Sequence, residues 1–205
     1  MYVHAKESKG NEMKSIGMVN ALYPSLTTIV GANVDGKANF LAVAHVGILN
    51  HGNPQYLSIG LGKQHYTNRG IHENKTFSIN IPSEEMVTET DYVGMVSGKK
   101  TDKSGVFEIF YGKTETAPMI RTCPVVMECR LNRVLDFSTH DIFVGEIVET
   151  YAAESVLTEG KIDIRKVRPL LFDMNSVKYW SLGEDVAAAW SVGKKMKRAT
   201  AGQSS

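Results

Sequence analysis

"SLTTIVGANVDGKANFLAVAHVGIL", residues 25–49, decides the architecture. Its first ten residues are rich in β-branched side chains, which suit a pleated, half-buried surface. Asp35–Gly36 follows, a dipeptide that tolerates positive φ at both positions and so closes a two-residue hairpin. Lys37–Leu49 returns as a second strand. Its apolar character is nearly continuous, the mark of burial on both faces. A tight hairpin makes the two strands antiparallel, which argues against βαβ architecture.

The same reading extends outward. "HGNP" (His51–Pro54) is a turn and "QYLSIGLG" (Gln55–Gly62) a third strand. Thr67 opens a short helix that runs to about Asn74, and "TFSINIP" (Thr76–Pro82) alternates as a fourth strand. Ser83 is expected to cap a helix over "SEEMVTETDYVGMV", whose first-turn acids suit the helix dipole. "SGKKTDKSG" (Ser97–Gly105) is a polar, glycine-bounded loop. "PVVMECRLNRVLDF" and "HDIFVGEIVETYA" form a long hairpin that turns near Ser138–Thr139. "RPLLFD" (Arg168–Asp173) is a last short strand, and "DVAAAWSVGKKMKRA" reads as a C-terminal helix with a basic end. Hairpins dominate, so the expected fold is mainly β with short helices, an antiparallel barrel. One domain is expected over residues 16–195, after an irregular lead-in (1–15) and before a polar tail (196–205).

Composition narrows the function. The chain has 205 residues, 42% hydrophobic and 22% charged, ordinary values for a soluble domain with its own core. A net charge of +1 offers no overall field for nucleic acid or an acidic membrane surface. No apolar run approaches the ~20 residues of a membrane span. The first residues lack the apolar stretch of a signal peptide, so a cytoplasmic protein is expected. Cys123 and Cys129 flank "PVVME". On a strand they lie roughly 20 Å apart, too far for a disulfide and wrongly spaced for zinc, so both read as buried thiols. The histidines show no metal-ligand spacing.

"IGLGKQHYTNRGIHEN" (Ile59–Asn74) has the composition of a phosphate-binding loop. It fails both familiar patterns. Gln64 stands where a Walker loop needs Ser or Thr, and His65 where a Rossmann fingerprint needs its third glycine. The physics of an anion site can still be met. A helix starting at Thr67 offers free N–H groups, and Lys63 and His65 are close in sequence. An ordinary strand-to-helix turn with solvated Lys and His is the competing reading.

The order of five segments carries a resemblance. They are "DGKANFLAVAHVGIL", "NPQYLSIGLGKQHYTNRGIHENKTFSINIP", "TDYVGMVSGKKTDKSGVFE", "HDIFVGEIVE" and "RPLLFDMNSVKYWSLGE". Together they resemble the flavoredoxin-like proteins of the flavin reductase-like family, over roughly residues 15–195. The resemblance implies an FMN-binding split β-barrel and a homodimer with FMN near the subunit interface. Strand 38–46 would pass beside the flavin ring, with Leu41, Ala42, Val43 and Ala44 in contact and Asn39 at its polar edge. The small side chains of Ala42 and Ala44 suit close backbone approach to a flat ring. Lys63, His65, Tyr66 and Thr67 are the implied phosphate residues, Thr67 above all. "SGKKTDK" resembles the family's Ser-Gly-x-x-x-Asp-Lys segment and implies roles for Ser97, Gly98 and Lys103 at the flavin or its phosphate. His140 falls where relatives carry a histidine near the open face of the flavin. Their Gly-Asp-His is here Ser138–Thr139–His140.

The function implied is FMN-dependent electron transfer, without an acid–base catalytic pair. Either a flavoredoxin-type carrier serves a redox partner protein, or an NAD(P)H-dependent flavin or ferric reductase transfers hydride. The alternative is a non-redox split barrel that binds another ligand or a partner.

Overall fold

The computed structural model describes residues 12–194 and 196. The first elements are β1 (Ser25–Leu26), β2 (Thr28–Val34), β3 (Lys37–Val43), β4 (Val46–Ile48) and β5 (Tyr56–Gly62). Next come α1 (Thr67–Asn74), β6 (Thr76–Ile81), α2 (Val87–Met95), β7 (Ile109–Phe110) and β8 (Met119–Ile120). The long hairpin is β9 (Val125–Asp136) and β10 (His140–Ala152). It is followed by β11 (Leu157–Thr158), β12 (Lys161–Ile162), α3 (Ile164–Val167), β13 (Leu171–Asp173) and β14 (Lys178–Trp180). The protein is mainly β with short helices, as the sequence predicts.

Seven strands form one antiparallel sheet in the order β3-β2-β6-β9-β10-β5-β4, curled into a half-barrel. The β2–β3 turn has φ 51° at Asp35 and 76° at Gly36, so the two-residue hairpin forms as its residues dictate. The order has one telling property. β3 and β4 are consecutive in the chain yet occupy opposite edges of the sheet. Only Ala44 and His45 separate them. The sheet must therefore roll until its two edges nearly meet at that link. The strand expected over Lys37–Leu49 is cut there into β3 and β4.

Two cores lie on the two faces of the curled sheet. Phe77, Phe143, Ile59, Leu61 and Ile71 fill one. Ile29, Phe40, Val93, Met119 and Ile120 fill the other. β2, β3 and β6 are consequently buried on both faces, which explains the continuous apolar run in β3. Each fully buried Phe or Ile contributes about 1.5–3 kcal/mol, whereas ion pairs such as Lys37–Asp102 lie on the exposed surface, where solvent screens them. Packing therefore decides the fold. Both cysteines are free and buried, as their spacing implies.

Three local expectations need correction. Ser83 makes no side-chain cap; its backbone bridges to Pro169, and the Glu84 N–H donates to the Arg168 carbonyl at 2.8 Å. A 3-10 turn over Glu84–Met86 then precedes α2. β14 extends the last strand into a hairpin that the sequence reading did not predict. Residues 185–193 form no helix, and Val186 and Trp190 are 98% and 95% exposed. Without a surface to cover, an isolated amphipathic segment does not hold a helix. The rest of that expected helix falls partly outside the described residues.

Candidate functional site

β3 is an edge strand, so alternate residues turn their backbone groups away from β2. The Phe40 carbonyl is one of these: it accepts from the Lys103 ammonium at 2.8 Å. Two residues on, the N–H and C=O of Ala42 face the same open edge. Beyond them lies a cavity of about 270 Å³ at the Ala44–His45 link, where the two sheet edges approach. Small residues make one side of it: Ala42, Ala44, Gly60 and Gly62. Val43, Thr27, Tyr23, Phe172 and Tyr179 continue its walls, and His45, His65 and His140 line it as well. We call this the ring cavity.

A second, polar cavity of about 210 Å³ lies on the far side of His65. Asn39, Leu41, Gln64, Tyr66, Thr67, Ser97, Gly98 and Lys103 line it. Its residues come from three places: β3, the β5–α1 turn and the loop after α2. Asn39 Nδ2 donates to Thr67 Oγ1 at 2.8 Å, and both side chains are buried. Thr67 is the first residue of α1, its oxygen accepts from Asn39, and among the described residues its hydroxyl proton has no acceptor, so it can donate onward. Gly98 seals the contact: a Cβ there would stand 2.2 Å from Asn39 Oδ1 and 2.8 Å from Tyr66. A third cavity, about 290 Å³, adjoins this one through Asn39, Tyr66, Gly98 and Lys103, and brings Lys99 and Lys100 to the same wall.

The space is chained: mostly apolar at one end, hydroxyl- and amide-lined in the middle, and lined at the other by Lys37, Lys99, Lys100 and Lys103 together with Asp35 and Asp102. Two buried polar atoms on its walls have no protein partner, Thr27 Oγ1 in the ring cavity and His65 Nδ1 between the two. Burying a polar group without a partner costs about 1–3 kcal/mol, so a ligand with polar ring substituents would relieve both. Burial, followed by the His140 and Lys103 charges, lowers the His65 pKa. His65 thus favours the neutral imidazole.

Most of the expected site residues converge here. Asn39, Leu41, His65, Tyr66, Thr67, Ser97, Gly98 and Lys103 surround the polar cavity, and Ala42, Val43, Ala44 and His140 the ring cavity. Lys63 lies on none of the three cavity walls. Its ammonium pairs with Asp136 and, at 2.7 Å, with Asp141, fastening the end of β5 to the β9–β10 hairpin. Lys103 is only 3% exposed, and its ammonium donates to Phe40 and to the Val93 carbonyl, both at 2.8 Å. It ties the end of α2 to β3 and leaves one N–H for the cavity. Tyr66 donates to Asp35 at 2.7 Å. His45, Tyr23, Thr27 and Phe172 join the site without having been singled out in the sequence. His45 reads there as mid-strand, because the break after Val43 is flanked by good strand formers on both sides.

The flavin reductase like domain model matches residues 20–181. A flavoredoxin structure from Methanosarcina acetivorans is 47% identical, with a TM-score of 0.86, over 90% of this chain and 100% of that one. The flavoredoxin structure of Desulfovibrio vulgaris (Miyazaki F) is 34% identical, with a TM-score of 0.82, over 89% of this chain and 100% of that one. A ferric-chelate reductase (NAD(P)H) of Archaeoglobus fulgidus is 25% identical over 53% of this chain and 70% of its own length.

Proposed function

The chain belongs to the flavin reductase-like family as a flavoredoxin-like protein, and from that premise we propose that it binds FMN and transfers electrons through it. The observation that carries this is the chained cavity, with Thr27 Oγ1 and His65 Nδ1 unpartnered on its walls. Ala42 and Ala44 would lie against the flavin ring, and the outward backbone groups of Ala42 would bond its polar edge. Asn39, Thr67, Ser97 and Gly98 would hold the ribityl chain and phosphate. Lys99, Lys100 and the remaining Lys103 donor supply the positive charge that an almost dianionic phosphate requires. When bound, FMN supplies the electron chemistry; the chain supplies binding, orientation and the electrostatic setting.

The flavoredoxin likeness supports a carrier that serves a redox partner protein. The ferric-chelate reductase likeness supports an NAD(P)H-driven reductase as the second reading. A homodimer working in the cytoplasm completes the proposal. Two buried, free thiols suit a reducing compartment. Titration of the protein into FMN should quench flavin fluorescence to a one-to-one endpoint. No quenching, with a colourless purified protein, would favour a non-redox barrel. Stopped-flow absorbance with NADPH then separates the subtypes: rapid bleaching of the loaded protein marks a reductase, and its absence a carrier.

A further inference from the structure

We infer that His45 and His140 act as a one-proton pair, taking up a solvent proton when a flavin in the ring cavity is reduced. This rests on the FMN reading above. The two imidazoles both line the ring cavity as close neighbours, their centroids 5.7 Å apart and their planes tilted by 54°. They arrive from different elements. His45 comes from the β3–β4 link, and His140 opens β10, opposite Gly62 of β5. Each is oriented by a hydroxyl: Tyr23 is bonded to His45 Nε2 at 3.1 Å, and Thr139 Oγ1 to His140 Nδ1 at 2.9 Å. Gly60 leaves room for His45, since a Cβ there would stand 3.2 Å from His45 Cβ and 3.2 Å from Ile142 Cδ1.

Two imidazolium charges at this separation repel. At an effective dielectric of about 20, the second proton binds on the order of a hundredfold more weakly than the first. Burial and then the His140 charge lower the His45 pKa. The neighbours do not restore it. His65 is itself pushed toward neutrality. Tyr23 and Tyr179 are the phenols on the cavity walls; Tyr179 donates to Asp91 at 3.1 Å and its pKa is pushed up to about 12. Asp141, beside His140, is held with Asp136 by Lys63. No carboxylate is among the described residues that line the ring cavity. The pair therefore lacks a fixed anion to hold its proton.

Reduction supplies one. With FMN in the cavity, a hydride from reduced nicotinamide, or two electrons from a reduced partner protein with one solvent proton, would leave one net negative charge there. The histidine pair then takes one further proton from solvent. The sum is two electrons and two protons, with no net charge added to the cavity. The oxidised donor leaves as nicotinamide cation or oxidised partner.

Two measurements test this. Histidine side-chain NMR titration of the ligand-free protein should show the His45 pKa rising in His140→Gln, because the repulsion is gone. An unchanged His45 titration overturns the pair. Spectroelectrochemistry of the FMN-loaded protein should give a steeper pH dependence of the midpoint potential in the wild type than in the double variant His45→Gln/His140→Gln, which has no imidazole of the pair left to take the proton. The difference is up to about 30 mV per pH unit, one proton per two electrons. Equal slopes with FMN bound overturn this inference alone; failure to bind FMN overturns it together with the proposed function.

Discussion

If FMN binds as proposed, Thr67 is where one hydroxyl would join fold to function. Its oxygen accepts from Asn39, which spans β3 to α1, and its proton remains for a ligand. Thr67→Ala should weaken FMN binding roughly five- to thirtyfold, about 1–2 kcal/mol for one hydrogen bond to a charged group. Thr67→Ser should retain most of the affinity; fluorescence titration of both variants decides, and equal affinity in Thr67→Ala would place the phosphate elsewhere. Lys103 gives a second test at this scale. Burial lowers its folded pKa to about 8, from 10.5 in the unfolded chain. The unfolded state thus binds the proton more strongly, and stability rises as pH climbs from about 8 to 10.5. Urea midpoints should increase over that interval in the wild type by more than in Lys103→Met. A parallel trend in both would mean that Lys103 is not the source.

At the scale of elements, α1 is placed by a glycine in its middle. Gly70 forgoes about 1 kcal/mol of helix propensity relative to alanine, yet a Cβ there would lie 2.2 Å from the Asn33 carbonyl of β2. Backbone cannot yield as a side chain can. Gly70→Ala should therefore lower stability by about 1–3 kcal/mol despite its better propensity, measured by chemical denaturation. A stabilised variant would show that α1 can lift from β2. The sequence disclosed the hairpins, α1 and the Asn39–Thr67 region because each has a local cause: an Asp-Gly turn, a strand pattern, a helix start. It did not disclose the break at Ala44–His45, since that break is imposed by closure of the sheet. Ser83 misled for a related reason. Its capping role depends on which carbonyl reaches the helix start, and Arg168, 85 residues after it in the chain, provides that carbonyl.

At the scale of the molecule, the rolled sheet leaves β4 as a three-residue edge strand. An exposed edge is a template for association unless it is blunted, and β4 carries no charge or proline to do so. Ile48 on it is 76% exposed, and Leu49 beside it 52%. They adjoin an apolar groove of about 380 Å³ lined by Val46, Leu57, Ile79 and Met127. Contiguous apolar surface of this kind marks an interface more often than solvent-facing skin. The groove also shares β5 with the ring cavity, so association at this edge would steady the strand that carries Gly60 and Gly62. Sedimentation velocity should give a dimer for the wild type. Ile48→Lys, which puts a charge at the centre of the patch, should weaken association by at least thirtyfold, the scale of a hot-spot loss of about 2 kcal/mol. Its melting temperature at low concentration should stay near that of the dissociated wild type, because Ile48 is mostly exposed and belongs to neither core. A wild type that remains monomeric at tens of micromolar would refute the dimer; a dimer indifferent to Ile48→Lys would move its interface to another face.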